Sequence, residues 1–249
     1  MTEFILQLAV AVIPAVLAIT LHEAAHGYAA LAMGDDTARR AGRLSLNPLR
    51  HVDRVGTILL PGFLLLFQLL TIHRVAFMFG WAKPVPVSAW KFRVPRRGMM
   101  VVVAAGPAMN FGLAVLTALL LPAMVAPSAF GYFERLLFLH PIAGALAFYF
   151  ILTNLVLGLF NLIPIPPLDG GRIAVGLLPE PLARAWARTE RAGILVVILL
   201  VFLLPRLLAE FDVQFDPFGE ALDTVVPWAL RLVLTVAGHH VGAGDGRFI

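Results

Sequence analysis

Residues 4–33 read FILQLAVAVIPAVLAITLHEAAHGYAALAM, an apolar stretch that carries two histidines and a glutamate near its end. About 20 apolar residues cross a bilayer as a helix, so this stretch predicts a transmembrane span. Ionisable groups at that depth cost several kcal/mol unless they are paired or bound. The spacing His22-Glu23-Ala-Ala-His26 suggests what binds them. Residues four apart lie one turn apart on one helical face, so both imidazoles can reach a single zinc ion. Glu23, on the same turn, is placed to take a proton from a water that the metal activates.

Working outward, the apolar segment 3–33 is stopped by Gly34 and the Asp35-Asp36 pair. At 1.5 Å per residue, His22 lies roughly 17 Å before Met33, within the bilayer and nearer the face where the helix ends. Pro14 reads as a tolerated membrane proline. No Lys or Arg precedes the apolar run, so we expect a retained first span rather than a signal peptide.

The whole chain shares this character. Of 249 residues 60% are hydrophobic and 14% charged, with mean hydropathy +0.88. Soluble domains are nearer half apolar and a quarter charged, so the composition predicts a polytopic, all-α protein in a lipid bilayer. With no cysteine, a metal must take His, Asp or Glu ligands. The basic pI reflects residues clustered beside hydrophobic spans, which fits membrane topology and not nucleic-acid binding.

Further spans are expected at 99–125 and 142–163, with peripheral apolar segments at 192–209 and 225–237. Segment 57–72 is shorter and contains Pro61-Gly62. Loops 34–55, 73–97 and 171–191 hold 5, 6 and 4 of the 19 Lys and Arg. The positive-inside rule places all three on the cytoplasmic side, which requires 57–72 to dip into the membrane and return. The prolines and aromatics of 73–97 suit short strands or turns, with room for a small β-hairpin. The first span then ends on the same membrane face as the 142–163 span.

Catalytic zinc usually takes three protein ligands, and candidates for the third are Asp53, His51, His73, His140, Asp169, Glu180, His239 and His240. Asp169 is the strongest, because Pro164, Pro166 and Pro167 break the helix before it and Gly170-Gly171 follow. A broken helix at membrane depth lines a cavity or is buried in protein. The alternative is a helix that ends at the interface with Asp169 solvated. Asn154, seven residues before Asn161, reads as packing.

Together, HEAAH and Asn161-Leu-Ile-Pro164-Ile-Pro166-Pro-Leu168-Asp169-Gly170 closely resemble the HExxH and NxxPxPxLDG signatures of the site-2 protease family of intramembrane zinc metalloproteases. Gly106-Pro107-Ala-Met-Asn110 resembles that family's GPxxN element. Phe79-Gly80-Trp81-Ala82-Lys83-Pro84 is similar to its membrane-associated loop between core helices.

The resemblance implies a three-helix core at about 3–33, 99–125 and 142–171, in one membrane-embedded peptidase domain, 1–249, of the compact type without PDZ or CBS domains. It implies one Zn2+ held by His22, His26 and Asp169, with Glu23 as the general base. Asn161 and Asn110, with Gly80 and Pro84 in the loop, are expected at the substrate, a single-span membrane protein. The expected location is a bacterial or archaeal plasma membrane, with the site toward the cytoplasm. A silent scaffold of the same fold and an ion- or proton-translocating protein are the competing readings. The second predicts ionisable residues scattered over several spans, whereas here they gather at one cluster.

Overall fold

Helix α1 (Thr2–Ala32) continues through Pro14 and ends where Gly34 takes φ +97°. The Asp35 N–H closes back on the Ala30 carbonyl at 2.8 Å, a termination that needs the left-handed angle glycine tolerates. The computed structural model describes residues 2–71, 73, 80–209, 211 and 215–242. After α2 (Thr37–Arg40), a π-helical turn, Arg54–Leu59, runs into α3 (Leu60–Thr71). Next come α4 (Pro95–Leu119), strand β1 (Val125–Ala126), α5 (Ala129–Leu139) and α6 (Pro141–Asn161). The remainder is α7 (Asp169–Leu177), α8 (Glu180–Arg188), α9 (Glu190–Val197), a second π turn, α10 (Leu204–Ala209), α11 (Pro217–Val236) and β2 (His240–Val241).

Among the described residues, four helices are long and apolar enough to cross a membrane: Leu8–Ala32, Arg54–Thr71, Pro95–Leu119 and Pro141–Asn161. The protein is therefore an all-α integral membrane protein, and the only sheet among the described residues is the two-residue parallel pair β1–β2. The core span expected at 99–125 starts earlier, because Pro95 initiates the helix at N1 with Arg96 and Arg97 in its first turn. It also stops earlier, at Leu119.

Helices α1, α4 and α6 pack on one another, and α1 and α4 run antiparallel, since Ala18 and His22 meet Asn110 while His26 meets Val102. Beyond the histidines, the C-terminal half of α4 packs with α5, α6 and α11 around buried Ala118, Tyr132, Phe133, Ile151, Leu155 and Leu230. Residues 129–139, between the spans expected at 99–125 and 142–163, thus form a core helix whose period of three to four buries Tyr132, Phe133 and Leu136. The apolar segment 225–237 is part of the 20-residue α11, and 192–209 lies within the helical run formed by α9, the second π turn and α10. The chain after α11 is docked as far as Gly242: His239 is buried, its Nε2 2.8 Å from the Ala118 carbonyl, and the Gly242 N–H meets the Ala126 carbonyl at 3.0 Å.

Residues 80–88 form an extended strap. The Trp81 N–H reaches the Gly56 carbonyl at 3.1 Å, and the Lys83 N–H reaches His51 O at 2.8 Å. The chain that leaves along 54–71 is therefore back beside the start of that helix at Trp81. No hairpin forms within 80–97, where the strap is followed by a 3-10 turn and α4; residues 74–79, the other part of that expectation, lie outside the described residues.

Asp35 anchors the strap's far end. Its fully buried carboxylate accepts from the Ser88 N–H (2.6 Å), the Thr37 N–H (3.0 Å) and the Thr37 hydroxyl (2.5 Å), with Lys91 Nζ at 3.3 Å. Burial alone would raise its pKa, but these donors outweigh that and hold it at about 2, below the ordinary 3.8. A depressed carboxylate pKa adds stability above the unfolded value, and this is lost as pH falls through the folded one. Strap protection against proteolysis is expected to be the same at pH 7 and 5 and to fall between about pH 4 and 2. Asp35→Asn should expose the strap at pH 7; unchanged cleavage patterns would count against the anchor.

Candidate metal centre

The HEAAH turn meets a stripe on α4 made of Val102, Gly106 and Asn110, spaced four apart and all buried. His26 Nδ1 lies 2.9 Å from the Val102 carbonyl, and His22 Nδ1 lies 2.6 Å from Asn110 Oδ1. Both oxygens only accept hydrogen bonds, so each neutral ring carries its proton on Nδ1 and keeps a lone pair on Nε2. The rings meet edge-on, with centroids 4.7 Å apart. Gly106 makes this approach possible: a Cβ there would lie 2.6 Å from His22 Cε1 and His26 Nε2, and closer still to His26 Cε1.

Asp169 is the first residue of α7. Helix α6 stops at Asn161, and the segment 162–168 turns the chain, with a cis peptide at Pro166–Pro167. Gly170 and Gly171 do not adopt positive φ. They are needed for space: a Cβ on Gly170 would overlap the Leu162 carbonyl, and one on Gly171 would sit 2.7 Å from Pro166 Cα. This packing, with Arg96 Nε on the Val175 carbonyl at 2.8 Å, lays α7 along the start of α4 and aims Asp169 at the histidines.

Asp169 Oδ2 lies 3.1 Å from His22 Nε2 and 3.4 Å from His26 Nε2, and the two Nε2 atoms are 3.1 Å apart. With both protons on Nδ1, three lone-pair atoms converge with no hydrogen between them. Buried Asp169 Oδ2 correspondingly has no hydrogen-bond partner. Such a cluster is repulsive unless a cation sits among its members. Ligands of a tetrahedral zinc, each 2.0–2.2 Å from the ion, stand roughly 3.4 Å apart, so two imidazoles and a carboxylate at these separations fit zinc. The His22, His26 and Asp169 ligand atoms form the one metal-competent group among the described residues.

Glu23, half-buried, accepts the Val85 N–H of the strap at 3.2 Å. Gly80 and Pro84 lie on this strap, Pro84 next to the residue that touches Glu23. Asn161 bonds within its own helix, its Nδ2 donating to the Leu157 carbonyl at 3.0 Å. Asn110 is fully buried, with its oxygen on His22 and its Nδ2 on Asn154 Oδ1 at 2.8 Å.

The other candidate ligands are engaged elsewhere or exposed. Asp53 caps the Val55 and Gly56 N–H groups, His51 Nε2 meets the Ser45 carbonyl, Glu180 faces Arg184, and His73 and His140 are exposed. Sequence reasoning missed the Val102 carbonyl, the Val85 N–H and the steric role of Gly106. Only the last had a signal, since positions 102, 106 and 110 repeat at four residues and so share one helical face.

Residues 137–204, which include Asp169, match the model of Peptidase family M50. The chain is 39% identical over 194 residues to "Putative zinc metalloprotease YwhC" of Bacillus subtilis, covering 78% of this chain and 80% of that one. It is 31% identical over 186 residues to "Putative zinc metalloprotease Rip2" of Mycolicibacterium smegmatis, covering 74% and 63%. To the Rip2 of Mycobacterium tuberculosis (strain H37Rv) it is 30% identical over 194 residues, covering 77% and 65%. No solved structure matches the chain.

Proposed function

The chain belongs to peptidase family M50, and on that premise we propose that it is an intramembrane zinc metalloprotease that cuts peptide bonds within or beside transmembrane segments of single-span membrane proteins. The observation that carries this reading is the convergence of His22 Nε2, His26 Nε2 and Asp169 Oδ2, with Glu23 next to His22 in the chain. These three residues would hold the metal. A zinc ion there supplies Lewis-acid polarisation of the scissile carbonyl and acidifies a water. Glu23 takes the proton of the attacking water as the carbon–oxygen bond forms, then gives a proton to the departing amine as the carbon–nitrogen bond breaks. Val102 and Asn110 keep the imidazoles oriented throughout.

We read residues 1–249 as one peptidase domain whose site faces the cytoplasm, with the zinc ligands near the ends of α1 and α6 that adjoin the basic loops. The return of the chain from Arg54–Thr71 to Gly56 at Trp81 supports a re-entrant segment, entering and leaving on one side. A substrate helix must unwind to expose its carbonyls, and the strap is suited to hold the unwound strand. Trp81, Lys83 and Val85 turn their N–H groups inward, which by strand alternation leaves the carbonyls of Ala82, Pro84 and Pro86 on the outer edge. The two prolines remove N–H donors there, which discourages sheet growth on the edge turned away from Glu23. Asn161, whose Oδ1 is not used in its helix bond, is a further peptide contact on this reading.

The test uses purified protein, its zinc content and a single-span substrate with helix-weakening residues. One zinc per chain and cleavage abolished by a chelator are expected. Zinc without cleavage of any such substrate would favour a scaffold, and no zinc would sink the reading. Gly80→Ala, whose Cβ would overlap the Gly56 carbonyl and lie 3.0 Å from Pro61 Cγ, should displace the strap. Cleavage should fall while zinc content stays at one; unimpaired cleavage would remove the strap from substrate handling.

A further inference from the structure

We infer that Asn154 is a positioning residue that sets the tautomer of His22, acting through Asn110; this rests on the zinc reading above. Asn154, Asn110 and His22 form a buried chain across α6, α4 and α1, with both asparagines fully inaccessible to solvent. Its polarity is fixed from one end. The Phe150 carbonyl can only accept, and Asn154 Nδ2 donates to it at 2.8 Å, one turn back along α6. Asn154 therefore turns Oδ1 outward, and that oxygen can only accept.

Asn110 must then present Nδ2 to it, at 2.8 Å, which leaves Oδ1 for His22 at 2.6 Å. An acceptor at that place puts the His22 proton on Nδ1 and frees Nε2 to face Asp169. If Asn110 were flipped, its NH2 would meet Nδ1, the proton would move to Nε2, and the face toward Asp169 and His26 would be blocked. The Ala18 carbonyl also lies toward Asn110 Nδ2, but at 3.5 Å it is a weak second restraint. His26 needs no such relay, because its Nδ1 meets the Val102 carbonyl directly.

The test compares Asn154→Leu and Asn154→Asp, both branched at Cγ with the same number of heavy atoms as asparagine. As a neutral acid, aspartate donates its O–H to the Phe150 carbonyl and accepts from Asn110, reproducing both bonds. Leucine reproduces neither, yet it suits a membrane interior. A packing role ranks leucine above aspartate; the relay ranks aspartate above leucine. Zinc affinity is measured by competition with a chromophoric chelator, and the His22 tautomer by 15N NMR of the zinc-free protein. Thr117→Val, which removes another buried-side hydroxyl bond on α4, serves as control.

Asn154→Leu is expected to weaken zinc binding about tenfold or more, the scale of losing an outer-shell partner, and to mix the His22 tautomers. Asn154→Asp and Thr117→Val should stay close to wild type on both readouts. If leucine prevents folding, Asn154→Ala takes its place under the same criteria. Wild-type affinity and tautomer in the leucine or alanine variant would overturn the relay, as would equal weakening in leucine and aspartate. Wild-type protein that binds no zinc would overturn the zinc reading, and the relay with it.

Discussion

Gly106→Ala is expected to empty the proposed metal centre while leaving a folded membrane protein. The added methyl would meet His22 Cε1 and His26 Nε2 at 2.6 Å, with His26 Cε1 nearer. Neither ring can yield cheaply, because each is tied through Nδ1 to α4 itself, the same helix that carries the new methyl. The helices must part or the rings must rotate, and either separates Nε2 atoms that now stand 3.1 Å apart. Overpacking of this kind costs about 1–3 kcal/mol in stability, which a folded polytopic protein can absorb. A metal site displaced by the same movement loses its ligand geometry. Zinc measured by mass spectrometry should fall from one per chain toward zero, with helical circular dichroism retained and cleavage lost. Stoichiometric zinc in a folded Gly106→Ala protein would refute the close-approach argument.

Glu23→Gln is expected to give the opposite pattern, with zinc retained and hydrolysis lost. Glutamine keeps the length of the side chain and an oxygen that can accept the Val85 N–H, so the strap contact at 3.2 Å survives. What disappears is the ability to take a proton. General-base catalysis contributes about 10²–10⁴-fold, and turnover of a single-span substrate should fall by roughly that factor. Glu23 is not among the three converging ligand atoms, so zinc content should stay at one per chain. Cleavage within a few-fold of wild type would remove Glu23 as the base, and concurrent zinc loss would make it a ligand. The contrast with Gly106→Ala separates the residue that would do the chemistry from one that makes room for the metal.

The boundaries of legibility follow physical range. The end of α1 was readable because Gly34 is both the signal and the cause. The proline break before Asp169 was readable for the same reason, although Gly170 and Gly171 serve clearance and not unusual backbone angles. Helix α5 was missed because its 11 residues are too short and mixed to register as a span, yet its amphipathic period does bury one face. Asn154 read as packing because an asparagine in an apolar helix carries no mark of the partner it will meet 44 residues away.

The sequence by itself determined that this is a membrane protein, that His22 and His26 share a helical face, and that the chain must turn before Asp169. These follow from local rules: hydropathy over 20 residues, the helical repeat of 3.6, and a proline's missing N–H. Only the tertiary structure decided which atoms finish the centre. The Val102 carbonyl on His26 and the Val85 N–H on Glu23 are backbone groups, which nearly every residue possesses, so no side-chain pattern can announce them. The polarity of the Asn154–Asn110–His22 chain likewise depends on three helices meeting at one depth. HEAAH supplies two of the ligand atoms, and packing against α4 determines where their lone pairs point.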